Sequence, residues 1–298
     1  MRTFFALKGL ASTAETQNRI DDAARWYLEA VAERQGTGSE AAELVALLDL
    51  GQLYSRHRRL AESSATLGRI AEIWLSIDGS QSLGAARYLS EQADALNLAG
   101  DHVRAEEGYR RALAIVQQRH EENSAFAAEA SGRLAGALAA QGKVEEAAKL
   151  CQSAISNLEK LMGGTMYSVG LRRQHATLLR RQNRESEAEQ IAKSGPAPKV
   201  VNVGTPRDPG LTPPQNIGRT EPGYSDLARR KRLAGSILVY FEIDESGRTS
   251  DVQVMRPLGV GLDKNAMEAV LSWRFRPATK EGKPVRYAAS AEVNFRLL

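Results

Sequence analysis

The amino-acid sequence predicts a two-domain chain: an all-α solenoid of repeated helical hairpins, then a small α+β domain with a three-stranded antiparallel sheet and two helices. Three observations carry this reading. Small and apolar residues recur about every 42 residues up to residue 192. Six of the ten prolines crowd between Lys193 and Gly218. Beyond Glu221 the apolar spacing changes from about 3.6 residues to 2. The expected boundaries are 1–192 for the helical array of about five hairpins, 193–218 for a proline-rich linker, and 219–298 for the second domain.

The repeat aligns on five turn residues: Asn18, Arg58, Gly100, Gly142 and Asn183. Five residues after each stands Ala23, Ser63, Ala105, Ala147 or Ala188, and seven before stands Ala11, Gly51, Ala93, Ala135 or Ala176. Four before the turn come Ala14, Tyr54, Leu96, Leu138 and Leu179. Antiparallel helices approach closely only where the facing residues are small. Gly and Asn suit the turn because they tolerate left-handed backbone. This pattern resembles the tetratricopeptide repeat, and its long interval resembles kinesin-light-chain-like arrays. The resemblance implies a concave groove, lined by the first helix of each hairpin, that binds proteins or peptides. Gln52, Arg56, Asp94, Asn97, Arg173 and Arg180 are the expected groove residues, with a plain solvated helix face as the alternative for each.

The linker prolines, Pro196, Pro198, Pro206, Pro209, Pro213 and Pro214, exclude a regular helix or central strand. An extended spacer is expected, with Lys199 to Val203 able to pair as an edge strand.

In the second domain, Ser236 to Asp244 alternates, with Ile237, Val239, Phe241 and Ile243 on one face. Glu245-Ser246-Gly247 reads as a tight turn and Asp251 to Met255 as the returning strand. Leu262 to Trp273 reads as a helix with Leu262, Ala266, Ala269, Val270 and Trp273 on one stripe and Asp263 as N-cap. Val285 to Leu297 alternates throughout and predicts a single 13-residue strand. Its polar side predicts a sheet covered by helices on one face and open to water on the other. The run Arg229 to Arg232 reads as a solvated helix end, with a patch for lipid or an acidic partner as the alternative.

Several stretches together resemble the TonB C-terminal domain: Glu221-Pro-Gly-Tyr-Ser-Asp-Leu-Ala-Arg, Ile243-Asp244 before Gly247, Trp273-Arg-Phe before Pro277-Ala278, and Gly282, Pro284-Val285 and Phe295. The family has Tyr-Pro where this chain has Tyr224-Ser225. The resemblance implies capture of an extended peptide, as from an outer-membrane transporter, by β-strand addition along the last strand. The residues expected on that edge are Arg286, Tyr287, Ala288, Ser290, Glu292, Asn294 and Arg296. An open edge of this length needs a partner, so self-association through the same strand, as a homodimer or assembly scaffold, is the alternative. The resemblance also implies a place in the cell envelope or periplasm, with the cytoplasm as the alternative.

Charge divides along the same boundary: residues 1–192 carry a net of −2 and residues 193–298 a net of +6. No aromatic-and-basic motif accompanies the basic half, so nucleic acid is not an expected partner. No stretch approaches the roughly 20 apolar residues of a membrane span. The energy-transducing members of the family have an N-terminal membrane helix, and no segment here is expected to supply one. Met1 to Ala14 fits either a secretory leader or the first repeat, and the repeat is the reading adopted because Lys8 interrupts the apolar run. Cys151 falls at a packing position and reads as a buried thiol. His57, His102, His120 and His175 have no metal-ligand spacing, and Gly259 and Gly261 form a turn rather than a dinucleotide loop. No cofactor and no catalytic role are expected.

Overall fold

The computed structural model describes residues 3–36, 39–162, 166–194 and 210–295. Four of the linker prolines, Pro196, Pro198, Pro206 and Pro209, and the segment Lys199 to Val203 lie outside the described residues, as does Arg296.

Ten helices pair as five hairpins: α1 (Phe4–Thr16) with α2 (Ile20–Gln35), α3 (Glu40–Arg56) with α4 (Leu60–Asp78), α5 (Leu83–Leu98) with α6 (His102–Gln118), α7 (Ala125–Ala140) with α8 (Val144–Met162), and α9 (Met166–Arg181) with α10 (Glu185–Lys193). The five turn residues all have left-handed backbone, with φ of 58° at Asn18, 54° at Arg58, 88° at Gly100, 82° at Gly142 and 59° at Asn183. The amide after each turn residue donates to the carbonyl four residues before it. Arg19 thus reaches Ala14, Arg59 reaches Tyr54, Asp101 reaches Leu96, Lys143 reaches Leu138 and Arg184 reaches Leu179. This satisfies a carbonyl that the helix end would otherwise leave unpaired. The small residues beside the turns are buried: Ala11, Ala23, Ala93, Ala105, Ala135, Ala147 and Ala188 show no exposed surface. Ser39, Ser82, Asp101 and Ser124 cap the helices that follow them by accepting a backbone N–H.

Neighbouring hairpins are tied by buried charge. Glu106, almost wholly buried, accepts hydrogen bonds from Lys143 Nζ and Gln141 Nε2 at 2.7 Å and from Arg110. Burial pushes its carboxyl up, but these donors outweigh that and leave it below the usual range. Cys151 is fully buried, which pushes its thiol up to about 12. Its thiolate population at neutral pH is accordingly small.

The second domain contains β1 (Leu211–Thr212), β2 (Gln215–Gly218), α11 (Asp226–Arg230), β3 (Gly235–Ile243), β4 (Thr249–Arg256), α12 (Leu262–Ser272), β5 (Arg274–Arg276), β6 (Ala278–Lys280), β7 (Lys283–Val285) and β8 (Tyr287–Phe295). The main sheet is antiparallel in the order β4-β3-β8. Two small sheets, β1-β6-β7 and β2-β5, were not foreseen from the sequence. Ile237, Val239, Phe241 and Ile243 are buried on one face with Leu262, Ala266, Val270 and Trp273 from α12 and its end. Phe241 meets Trp273 edge to face at 5.8 Å. Trp273 Nε1 donates to the carbonyl of Thr220 at 2.9 Å.

Three expectations are corrected. The expected single strand from Val285 to Leu297 breaks at Arg286, where the chain leaves the β6-β7 hairpin and joins β3. Asp263 does not cap α12, because Gly261 stands at the N-cap with φ 81°. The Asp263 carboxylate instead accepts the amides of Leu258 and Gly259 at 2.8 and 2.7 Å, fixing the preceding loop. The second face of the main sheet is also not open to water along its whole length. Tyr240, Glu242, Met255 and Ala288 on it are buried, and Tyr240, Met255 and Ala288 share an apolar cluster with Ala125 and Ala128 of α7 and Ala154 and Leu158 of α8.

Candidate functional site

Two surfaces are candidates: the outer edge of β8 and the face of the array formed by the first helix of each hairpin. The β8 ladder is regular. Nine consecutive pairs join it to β3, from Gly235 opposite Phe295 to Ile243 opposite Tyr287, with no bulge. Among the described residues, no strand pairs with its other side. The opposite edge is different in kind. The β3-β4 ladder is interrupted twice, between Leu238 and Val239 and between Tyr240 and Glu242. Asp251 on β4 has φ 50°, and β4 lies against α7. Bulges and cover are the usual means of blunting an edge, so β4 is protected, whereas β8 carries neither device among the described residues.

Side chains along β8 sort by face. Tyr287 and Ala288 are buried, Ser290, Glu292 and Asn294 are exposed, and Ala289 and Ala291 are half-buried toward the α12 side. Glu292 Oε1 accepts from Ser236 Oγ at 3.2 Å. Arg286, just before the strand, reaches the buried carboxylate of Glu242 at 3.3 Å. A strand added here would meet a polar row of Ser290, Glu292 and Asn294 on one side and small apolar residues on the other. At the far end, Tyr224 packs edge-on against Phe295 at 5.5 Å and donates to the carbonyl of Leu233 at 2.9 Å. Ser225, the departure from the family's Tyr-Pro, caps α11 at 3.0 Å from Ala228 N and donates to the carbonyl of Val260 at 2.5 Å.

On the array, the six expected groove residues do not gather in one place. Gln52 and Arg56 lie on α3, where both are exposed and Arg56 is paired with Glu15 at 3.2 Å. Arg173 and Arg180 are exposed on α9, Arg180 bonded to Glu185 at 3.1 Å. Asp94 and Asn97 of α5 line a cleft of about 640 Å³ with Glu129, Arg133, Gln174 and Met255. Arg133 bridges Asp94 and Glu129 and so holds α5 to α7. Tyr109 donates to Asp94 at 2.6 Å. Burial pushes the Asp94 carboxyl up, opposed by the charge of Arg133 and the Tyr109 hydrogen bond.

Sequence reasoning missed Arg87, Lys231 and Met255. Arg87 is buried to 6 % exposure, bonds Glu91 at 2.9 Å and donates to the carbonyl of Ser236 on β3. Lys231, in the run expected to be solvated, donates to the carbonyl of Ile77 at the end of α4. No helix among the described residues is long and apolar enough to cross a membrane, and no cluster of three or more of their His, Cys, Asp and Glu side chains is placed to hold a metal ion.

Comparison with known proteins agrees with this architecture. Residues 220–297 match the family described as Gram-negative bacterial TonB protein C-terminal. Protein TonB of Vibrio cholerae is 26% identical over 103 residues, covering 34% of this chain and 42% of the relative. Protein tonB2 of Pseudomonas aeruginosa is 34% identical over 77 residues, covering 26% of this chain and 28% of the relative. The chain thus spans less than half the length of the curated relatives it matches. Among solved structures, BtubC (BKLC) from P. vanneervenii superposes with a TM-score of 0.53 at 18% identity, over 68% of this chain and 86% of that one. A Podosopora anserina kinesin-light-chain protein with nearly identical TPR-like repeats gives 0.52 at 19%, over 63% and 90%. At these identities the likeness is one of fold. The chain therefore carries a TonB C-terminal domain at residues 220–297, preceded by a tetratricopeptide-like helical array.

Proposed function

We propose that the protein is a non-catalytic interaction protein of TonB type. Its C-terminal domain captures an extended peptide, of the kind an outer-membrane transporter presents, as a strand added to β8. The helical array engages a second protein partner, and the pair serves transport in the cell envelope or periplasm. The observation that carries this reading is the contrast between the two sheet edges: β4 is bulged and lies against α7, whereas β8 offers a regular, unbulged edge. Strand addition gains main-chain hydrogen bonds, and alternating side chains supply selectivity. The rows on β8 favour a peptide with a cation opposite Glu292 and small or apolar residues over Ala289 and Ala291.

The test is amide hydrogen exchange on the full chain with a panel of extended transporter-derived peptides. Slowed exchange in 287–295, with β4 unchanged, is the expected result. Slowing confined to β4 or the array would refute capture on β8. A concentration-dependent dimer protected at the same residues, with no peptide effect, would favour the self-associating scaffold.

A further inference from the structure

The face of the array formed by the first helices of its hairpins is already covered over α5 and α7. The second face of the C-terminal sheet lies across α5 and α7, and three contacts separated along the array fix it there. At the α4–α5 turn, Lys231 donates to the carbonyl of Ile77. Beside it the loop after β4 comes in close at Gly259: a Cβ there would lie 3.4 Å from Asp78 Oδ2 and 3.5 Å from Leu83 Cβ. On α5, Arg87 donates to the carbonyl of Ser236. At α7 and α8, Met255 is fully buried in the cluster with Ala125, Ala128, Ala154 and Leu158.

The chemistry of the two surfaces matches. The sequence of α7, AFAAEASGRLAGALAA, is largely alanine and glycine, and small side chains let a sheet approach a helix closely. The buried guanidinium of Arg87 needs an acceptor besides Glu91, and the Ser236 carbonyl supplies one. On the sheet, Leu238, Tyr240, Ala288 and Met255 form an apolar patch within an otherwise polar face.

We propose that this contact is a closed state, in which the C-terminal domain is the cis-occupant of the array's groove and excludes other ligands from it. Met255 is common to the docking contact and to the cleft lined by Asp94, Asn97, Glu129, Arg133 and Gln174. A chain entering that cleft and running on toward the start of α5 meets β4. A groove ligand and the docked domain are therefore mutually exclusive over α5 and α7, and a protein that takes the whole groove must release the domain. Such a ligand shifts the equilibrium by its preference for the open state alone. Docking leaves the exposed residues of β8 uncovered, so the closed state gates the groove and not the strand edge. This inference does not depend on strand capture.

The test is zero-length carbodiimide cross-linking of the full chain, read by mass spectrometry, with solution scattering in parallel. Lys231 and Asp78 should cross-link in the wild-type chain. Met255→Glu should lower that yield at least tenfold, expand the particle and speed amide exchange in 125–140, while the β3–β8 ladder stays protected. Should that ladder lose protection, Arg87→Glu replaces it; from the array side it sets a carboxylate against the Ser236 carbonyl and Glu292, with the same tenfold loss expected. A wild-type chain that gives no Lys231–Asp78 product and scatters as two independently moving bodies overturns the proposal. So does a folded Met255→Glu or Arg87→Glu variant with wild-type yield.

Discussion

Replacing Gly247 by alanine should destabilise the C-terminal domain by about 3 kcal/mol. Gly247 closes the β3-β4 turn with φ 82°, and a left-handed backbone costs an L-residue about 1–2 kcal/mol. A Cβ there would also lie 1.8 Å from the Phe275 carbonyl oxygen, where real contacts essentially never fall below 3.0 Å. Strand β5 must then move away, breaking the 2.9 Å bond from Phe275 N to Gly247 O, worth about 1 kcal/mol. It also loosens Phe275 from Phe241, now 5.9 Å between ring centres. Gly282→Ala is the matched control: its φ is 77° and nothing lies within 4 Å of the added carbon. That variant bears backbone strain alone, about 1 kcal/mol. Native-state hydrogen exchange over β3 and β4 measures both. Equal losses in the two variants would refute the argument, because they would show that the Phe275 carbonyl imposes nothing.

Other predictions follow from single groups. Burial holds the Asp263 carboxyl up at about 6, against the Leu258 and Gly259 amides and the charge of Arg87, which favour ionisation, and with Glu121, which opposes it. The folded chain therefore keeps this proton where the unfolded chain has lost it. The contribution is full below 3.8 and is lost as pH rises through 6, a difference of about 3 kcal/mol; a carboxyl-carbon NMR titration with its midpoint at or below 4 would contradict it. Burial, then the charge of Arg184, lowers the His175 imidazole. It contributes stability above 6.5 that is lost as pH falls through its lower folded value. His175→Leu should accordingly raise the melting temperature more at pH 5 than at pH 8. Arg58→Asn, at a φ of 54°, should stabilise the array by about 0.5 kcal/mol, since Asn tolerates that conformation better; an unchanged or lower thermal midpoint would count against it.

The repeat was legible because its turns demand left-handed backbone and its helix crossings demand small residues, and both demands recur in register. Even Arg58 was placed by its neighbours rather than by its own preference. The β3 core face was legible for the same reason, period against period. What the sequence did not disclose was burial by a distant partner. Ser236, Leu238, Tyr240 and Glu242 mix polar and apolar side chains, and nothing local marks their face as covered by helices about 80 to 150 residues earlier. Arg87 and Lys231 look like surface cations until a carbonyl from the other domain meets them. Strands of two to four residues, such as β1 and β5, are too short to show a period. The break at Arg286 was hidden because alternation runs through it unchanged. Of the expected groove residues, Asp94 and Asn97 share a cleft while the other four lie on α3 and α9, because equivalent positions recur one hairpin apart along the array.

The unbroken register of β8 also has a mechanical consequence. A strand seated along it and pulled parallel to its axis loads its ladder bonds together, in shear. Pulled sideways, it would load them one after another, as a zipper opens. The β3-β8 ladder behind it is loaded in the same shear, because it is equally regular. The sheet is therefore stiff along one axis and yielding across it, and the direction of a tug, as much as its strength, decides whether the grip holds.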